Sequence, residues 1–256
     1  MGGDVRHLLA RQNHSVLALL ARSSSLIAFD FDGTLASIVA ARHHATLRPA
    51  TERLLTRLCA LYPCAVITGR SRVDIRGRLG AAPIKYTVGN HGLEPAEGPA
   101  PAEELMAAVR PLLEAALAGY AGLDVEDKRY SLAVHYRDCP VKPRARALIH
   151  RALAGLPFTL RIVPGKLVFN VLPASAPHKG DALLSLCRQE GVQMALYVGD
   201  DVTDEDVFAL DQDGRLVGAR VGRSNSSAAR YFLRDQREID ALLTRLIALR
   251  GEANPS

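Results

Sequence analysis

Long apolar runs are missing from this 256-residue chain. Nothing approaches the roughly 18 to 20 consecutive apolar residues that a membrane-spanning helix needs, so no membrane partner is expected. The opening residues, Met1-Gly2-Gly3-Asp4-Val5-Arg6, carry neither a signal-peptide pattern nor a myristoylation serine or threonine, and the expected location is cytoplasmic. Cysteine is scarce. Cys59, Cys64, Cys139 and Cys187 show no close CxxC pairing and too low a density for a disulfide scaffold, so they are expected as reduced, buried thiols. There is also no basic block interleaved with aromatics. The net charge is +5, but the arginines are scattered along expected helices, which speaks against nucleic acid and for a solvated surface with a few cations serving an anionic substrate. No internal repeat or low-complexity domain is visible.

What is present is enough apolar sequence, 48% of residues, for a substantial core. The length exceeds one typical domain and falls short of two, which suggests a core with an inserted smaller module. The spacing of Leu8, Leu9, Val16, Leu17, Leu19 and Leu20 predicts an amphipathic helix over 5–22. Leu26-Ile27-Ala28-Phe29, Cys64-Ala65-Val66-Ile67 and Lys85-Tyr86-Thr87-Val88 predict buried strands, joined by helical segments such as Thr51–Leu61. That alternation describes a doubly wound parallel sheet. Composition shifts at the proline-rich stretch 95–101, where a second module is expected to begin. It reads as a helix to about Leu117, a strand Tyr130–Tyr136, a helix Pro143–Leu153 and a hairpin turning at Pro164-Gly165-Lys166. The parallel pattern returns with a helix from Lys179, the run Met194–Val198, a final strand near Leu216–Val221 and a closing helix Glu238–Leu249. The fold class is therefore α/β, with a core of residues 1–95 and 176–256 and an α/β cap over 96–175.

Polar and acidic residues collect where the apolar runs end, which is the side on which open α/β sheets bind ligands. Phe29-Asp30-Phe31-Asp32-Gly33-Thr34-Leu35 sets two carboxylates two residues apart, one to attack and one to manage protons. A carboxylate attacking an anionic phosphoryl group needs a cation, and Mg²⁺ with oxygen ligands is the natural choice. Thr68 and Gly69 offer a hydroxyl and close backbone approach to phosphoryl oxygens, and Lys179 adds a positive charge at a helix start. The acidic run Asp200-Asp201-Val202-Thr203-Asp204-Glu205-Asp206 would repel itself without a metal.

Taken in order, FDFDGTL, VITGR, HKGDAL and YVGDDVTDED resemble the motifs of haloacid dehalogenase-type phosphatases, whose fold is a Rossmann-like core with an inserted cap. More narrowly, Gly89-Asn90-His91-Gly92-Leu93-Glu94, Ser131–Arg137, Pro164-Gly165-Lys166 and Gly199–Asp206 are similar to trehalose-6-phosphate phosphatases. That resemblance implies Asp30 as nucleophile, Asp32 as acid/base, and Thr68 with Lys179 as the phosphate-holding pair. It implies Mg²⁺ bound by Asp30, the Asp32 backbone carbonyl and Asp200, with Asp204 supporting the site. Substrate contacts are expected from Gly69, Arg70, the His91 loop with Glu94, and the cap hairpin. There the family has lysine followed four residues later by glutamate; here Lys166 is followed by Asn170. Period-two spacing sets Lys166, Val168 and Asn170 on one strand face, expected to point toward the cleft. The implied partner is a phosphorylated disaccharide, trehalose 6-phosphate first and another phosphorylated glycoside or polyol second. A catalytically silent binding protein is the remaining alternative, against which the full motif set argues. Oligomeric state is not encoded legibly.

Overall fold

The strands of the larger unit are mostly buried along their whole length, as a parallel sheet covered on both faces requires. The computed structural model describes residues 5–39, 44–94, 100–210 and 213–253. It divides into two units, Met1–Gly92 with His178–Ser256, and Leu93–Pro177. The first four residues, and the stretch expected as a linker up to residue 99, lie outside the described residues.

The first part of the larger unit runs β1 (Arg6–His7), α1 (His14–Arg22), β2 (Ser25–Phe29), α2 (Pro49–Cys59), β3 (Cys64–Ile67), α3 (Arg72–Arg76) and β4 (Tyr86–Val88). The single helix expected over 5–22 is instead β1, a 3-10 turn at Arg11–Asn13 and then α1. The reason is tertiary. Arg6 N donates to Arg230 O at 3.1 Å and Leu8 N to Phe232 O at 3.0 Å, so a sheet edge captures this backbone before the helix begins. The smaller unit follows as α4 (Ala100–Leu117), β5 (Asp124–Asp127), β6 (Leu132–His135), α5 (Lys142–Ala154), β7 (Leu160–Gly165) and β8 (Val168–Pro173). The larger unit then resumes with α6 (Lys179–Glu190), β9 (Met194–Gly199), α7 (Glu205–Phe208), β10 (Leu216–Val221), β11 (Tyr231–Leu233) and α8 (Glu238–Ala253).

The described strands of the larger unit form one parallel sheet in the order β1-β11-β10-β9-β2-β3-β4. Side chains of β2 alternate between its faces. Ile27 and Phe29 pack with Leu17, Leu55, Leu58, Leu242 and Leu246, whereas Leu26 and Ala28 pack with Leu183, Leu186, Val207 and Phe208. Chain order proceeds outward from β2 to β3 and β4 on one side, and from β9 to β10 and β11 on the other. The carboxyl ends of β2, β3 and β9 thus converge at the switch point, the crevice where such sheets bind ligands.

In the smaller unit the antiparallel order is β5-β6-β8-β7. Leu132, Val134, Phe169 and Val171 bury one face against Met106, Val109 and Leu113 of α4 and Ile149 and Leu153 of α5. The opposite face carries Glu126, Ala133, Asn170 and Val163 in one cross-strand row. Strand β5 is not predicted by its sequence, Asp-Val-Glu-Asp; pairing with β6 creates it. Strand β11 likewise follows the strand expected to be last. Lys166 also differs from expectation. The hairpin closes at the Gly165–Val168 pair, so Lys166 and Leu167 form the turn, with Leu167 at φ 62°, and Lys166 is not on the strand face shared by Val168 and Asn170. Among the described residues no helix is long and apolar enough to cross a membrane.

Leu246, fully buried on α8 in the layer that covers β2, gives a direct test of this packing. Leu246→Ala should cost about 2–5 kcal/mol, read as a lower urea midpoint with an unchanged slope.

Candidate active site

At the end of β2 the apolar strand gives way to Asp30, whose amide donates to Val198 O of β9 at 2.8 Å and whose side chain is almost wholly buried. Two residues on, the chain turns sharply. Gly33 N donates to Ala36 O and Ala36 N to Phe31 O, and Gly33 takes a φ of +82°. A β-carbon at Gly33 would lie 2.1 Å from Asp200 Oδ2, so only glycine lets this turn and the end of β9 approach so closely.

Lys179 opens α6, a helix N-capped by His178 through a capping box with Asp181. The ammonium, 2% exposed, lies 3.1 Å from Asp30 Oδ1 and donates to Asp204 Oδ1 at 2.8 Å. Asp204 is fully buried and richly bonded. Its Oδ1 also accepts from the Tyr197 hydroxyl at 2.7 Å, and its Oδ2 from Asp201 N at 2.9 Å. Oxygens of Asp30, Asp200 and Asp204 all lie within 4.8 Å of one another. Asp200 Oδ1 is buried and has no hydrogen-bond partner among the described residues.

The electrostatics follow from burial. Desolvation raises the pKa of Asp30 well above the carboxylate range; Lys179 opposes the shift, while Asp204, Asp200 and Asp32 add to it. Burial and the neighbouring Asp204 and Asp201 push Asp200 up to about 7, against Lys179 and Arg220. Burial works against the Lys179 charge, but Asp204 and Asp30 outweigh it and its pKa rises, so it stays an ammonium. One ammonium among three carboxylates leaves negative charge in a buried place and one carboxylate oxygen with no donor. A bound divalent cation with oxygen ligands fits this donor set, since hard cations take carboxylate oxygens.

Strand β3 supplies the other wall. Thr68 is buried; its amide donates to Val88 O at 2.9 Å, and its carbonyl accepts from His91 N at 3.0 Å. Asn90 and His91 both adopt positive φ, 48° and 57°, and the His91 ring lies over Gly69, where a β-carbon would sit 2.5 Å from its Cε1. Arg70 Nε and Nη2 donate to the two oxygens of Asp32 at 2.6 and 2.7 Å, and Nη1 donates to Asp74 Oδ2 at 2.7 Å. Of the residues singled out from sequence, Asp30, Asp32, Thr68, Gly69, Arg70, His91, Lys179, Asp200 and Asp204 belong to the larger unit. Glu94, Lys166 and Asn170 belong to the smaller one. Asn170 is buried there, its Oδ1 accepting from Lys128 Nζ at 3.2 Å. Tyr197, Asp74 and Arg78 are further participants not predicted from sequence. The signal for Tyr197 was a phenol inside the apolar run of β9, since a buried hydroxyl needs a partner.

A sequence model described as trehalose-phosphatase matches residues 28–237. A probable trehalose-phosphate phosphatase 4 of Oryza sativa subsp. japonica is 28% identical, with 98% of this chain and 74% of the relative covered. A trehalose-phosphate phosphatase of Mycobacterium tuberculosis is 33% identical, with 74% of this chain and 52% of the relative covered. The chain thus spans about half the length of its mycobacterial relative. Among solved structures, the C-terminal domain of C. albicans trehalose-6-phosphate phosphatase superposes with a TM-score of 0.79 at 20% identity, over 96% of this chain and 99% of that one. The sucrose-phosphatase of Synechocystis sp. PCC6803, in complex with sucrose and phosphate, gives 0.56 at 17% identity, over 87% and 98%. These likenesses show a shared fold.

Tyr197→Phe removes one of the hydrogen bonds that hold Asp204 while preserving shape. It should cost about 1–3 kcal/mol of stability, because Asp204 Oδ1 keeps only the Lys179 bond, measured by thermal or urea unfolding.

Proposed function

The chain belongs to the trehalose-phosphatase family, and on that premise we propose that it hydrolyses trehalose 6-phosphate to trehalose and phosphate, with the phosphoryl group carried transiently on Asp30. The observation that carries this reading is the buried cluster of Lys179 with Asp30, Asp200 and Asp204 at adjacent strand ends, beside Thr68. An Asp30 oxygen attacks phosphorus as the bond to the sugar oxygen breaks, and Asp32 delivers a proton to that oxygen. Asp32 then takes a proton from the water that attacks the aspartyl phosphate, releasing phosphate and restoring Asp30. Lys179 opposes protonation of Asp30 and offsets the charge of the incoming phosphoryl group, and the Thr68 hydroxyl donates to a phosphoryl oxygen. Asp30, the Asp32 carbonyl and Asp200, with Asp204 bracing the set, would hold Mg²⁺, which would supply positive charge to offset the repulsion between the anionic nucleophile and substrate.

Asp30→Asn should reduce phosphate release from every ester to background while the fold survives, because an amide neither attacks phosphorus nor binds the cation as a carboxylate does. Acid-quenched turnover of the native enzyme should yield a phosphorylated peptide containing Asp30. Absence of that adduct together with an active Asp30→Asn variant would remove the residue from its role. Exhaustive chelation should abolish turnover and Mg²⁺ should restore it, whereas Asp200→Ala should respond to Mg²⁺ only at much higher concentration.

A second reading, a different phosphorylated glycoside, is favoured by one observation: the amide of Asn170 stands where the resembled family has a carboxylate, bonded to Lys128. Phosphate release across trehalose 6-phosphate, sucrose 6-phosphate, glucose 6-phosphate and an aryl phosphate decides between them. With trehalose 6-phosphate preferred, Asn170→Glu should preserve or raise its kcat/KM. Lys166→Ala should lower that value about tenfold while changing the aryl phosphate less than about twofold.

A further inference from the structure

Asp32 needs a defined position for the role given it above, yet its side chain is 42% exposed. Arg70 provides its only hydrogen-bond partner among the described residues, engaging both carboxylate oxygens. The guanidinium is itself held from two further sides. Its Cζ lies 5.6 Å from the centroid of the buried Phe31 ring, and Nη1 donates to Asp74. Asp74 in turn accepts from Arg78 Nε at 2.9 Å and Nη2 at 2.6 Å, and Arg78 Nη1 donates to Ala45 O at 3.1 Å. Charges alternate along Asp32, Arg70, Asp74 and Arg78, so the positive charge of Arg70 is balanced within the protein and all three of its nitrogens are committed to carboxylates. An anionic substrate seeking Arg70 would have to displace two carboxylates to reach it. Burial works against the Asp74 charge, but the hydrogen bonds from Arg78 and Arg70 lower its pKa overall, which keeps this anchor ionised.

We propose that Arg70 is a positioning residue for Asp32, not a substrate ligand: its fork, anchored through Asp74 to Arg78, fixes the acid/base carboxylate beside Asp30. This rests on the assignment of Asp30 and Asp32 above and departs from the expectation, drawn from sequence, that Arg70 binds substrate. A guanidinium is required because only a planar fork engages both oxygens at once; lysine keeps the charge and loses the fork.

The test separates positioning from binding. Arg70→Lys should lower kcat for trehalose 6-phosphate by about tenfold or more and leave KM within about twofold. Calorimetric affinity for inorganic phosphate, measured with Mg²⁺ present, should be unchanged in the same variant. Combined with Asp32→Asn, it should add less than about twofold to the loss caused by Asp32→Asn alone, because the group it positions is already gone. Asp74→Asn, which leaves Arg70 and its charge in place, should reproduce the kcat loss in smaller measure and serves if Arg70→Lys does not fold. A rise in KM with kcat retained, weaker phosphate binding, or a full additional loss in the Asp32→Asn background would overturn the proposal. Full activity of Asp32→Asn alone would instead overturn the acid/base assignment, leaving the two failures distinguishable.

Discussion

A single ammonium group, that of Lys179, sits almost completely away from solvent between Asp30 and Asp204, and the surrounding architecture exists to make that tolerable. Removing a charge from water costs several kcal/mol, which is recovered only when partners are close and well bonded. Asp204 meets that demand by accepting from Lys179, Tyr197 and the Asp201 backbone together. The cap that starts α6 at His178 fixes where the lysine enters, and the turn at Asp201–Asp204 fixes where it ends. Deleting the ammonium would leave two buried carboxylates without their cation, a loss of about 3–5 kcal/mol in comparable pairs.

The cluster is nevertheless overcharged on the acidic side. Lys179 satisfies Asp30 and Asp204, while Asp200 Oδ1 is left without a donor. Stability alone gives no reason to bury such an oxygen. Such an arrangement fits a cation, and burial raises the pKa of Asp30 and Asp200 because uncompensated charge is disfavoured there.

Asp30, Thr68, Lys179 and Asp200 were legible because each ends an apolar run or begins a helix, and strand ends at a switch point are where chemistry collects. The parallel sheet was legible for the same reason, in its unbroken apolar strands. What pairing decides was not. Arg6–His7 and Asp124–Asp127 have no strand pattern of their own and become strands through the neighbours they meet. The carboxylate partners of Arg70 were hidden for a related reason. Its Thr-Gly-Arg context suggests anion binding, but the carboxylate that occupies it is Asp32, distant in sequence, and the pairing is a property of the fold. Lys166 left its strand face because the hairpin turns one residue later than the proline and glycine suggest.

The order of the strands also has a consequence in time. Strand β2 lies between β3, which follows it closely, and β9, which is separated from it by the whole smaller unit. On a ribosome, Asp30 and Thr68 emerge early, but Lys179, Tyr197 and Asp204 appear only after that inserted unit has been synthesised. Until then one long edge of β2 has no neighbour, and a carboxylate destined for burial has no ammonium to meet. The smaller unit, with its own apolar core between sheet and helices, can complete its packing during that interval. The nascent larger unit therefore waits with β2 half paired, and closure of the sheet and assembly of the charged cluster become one late event.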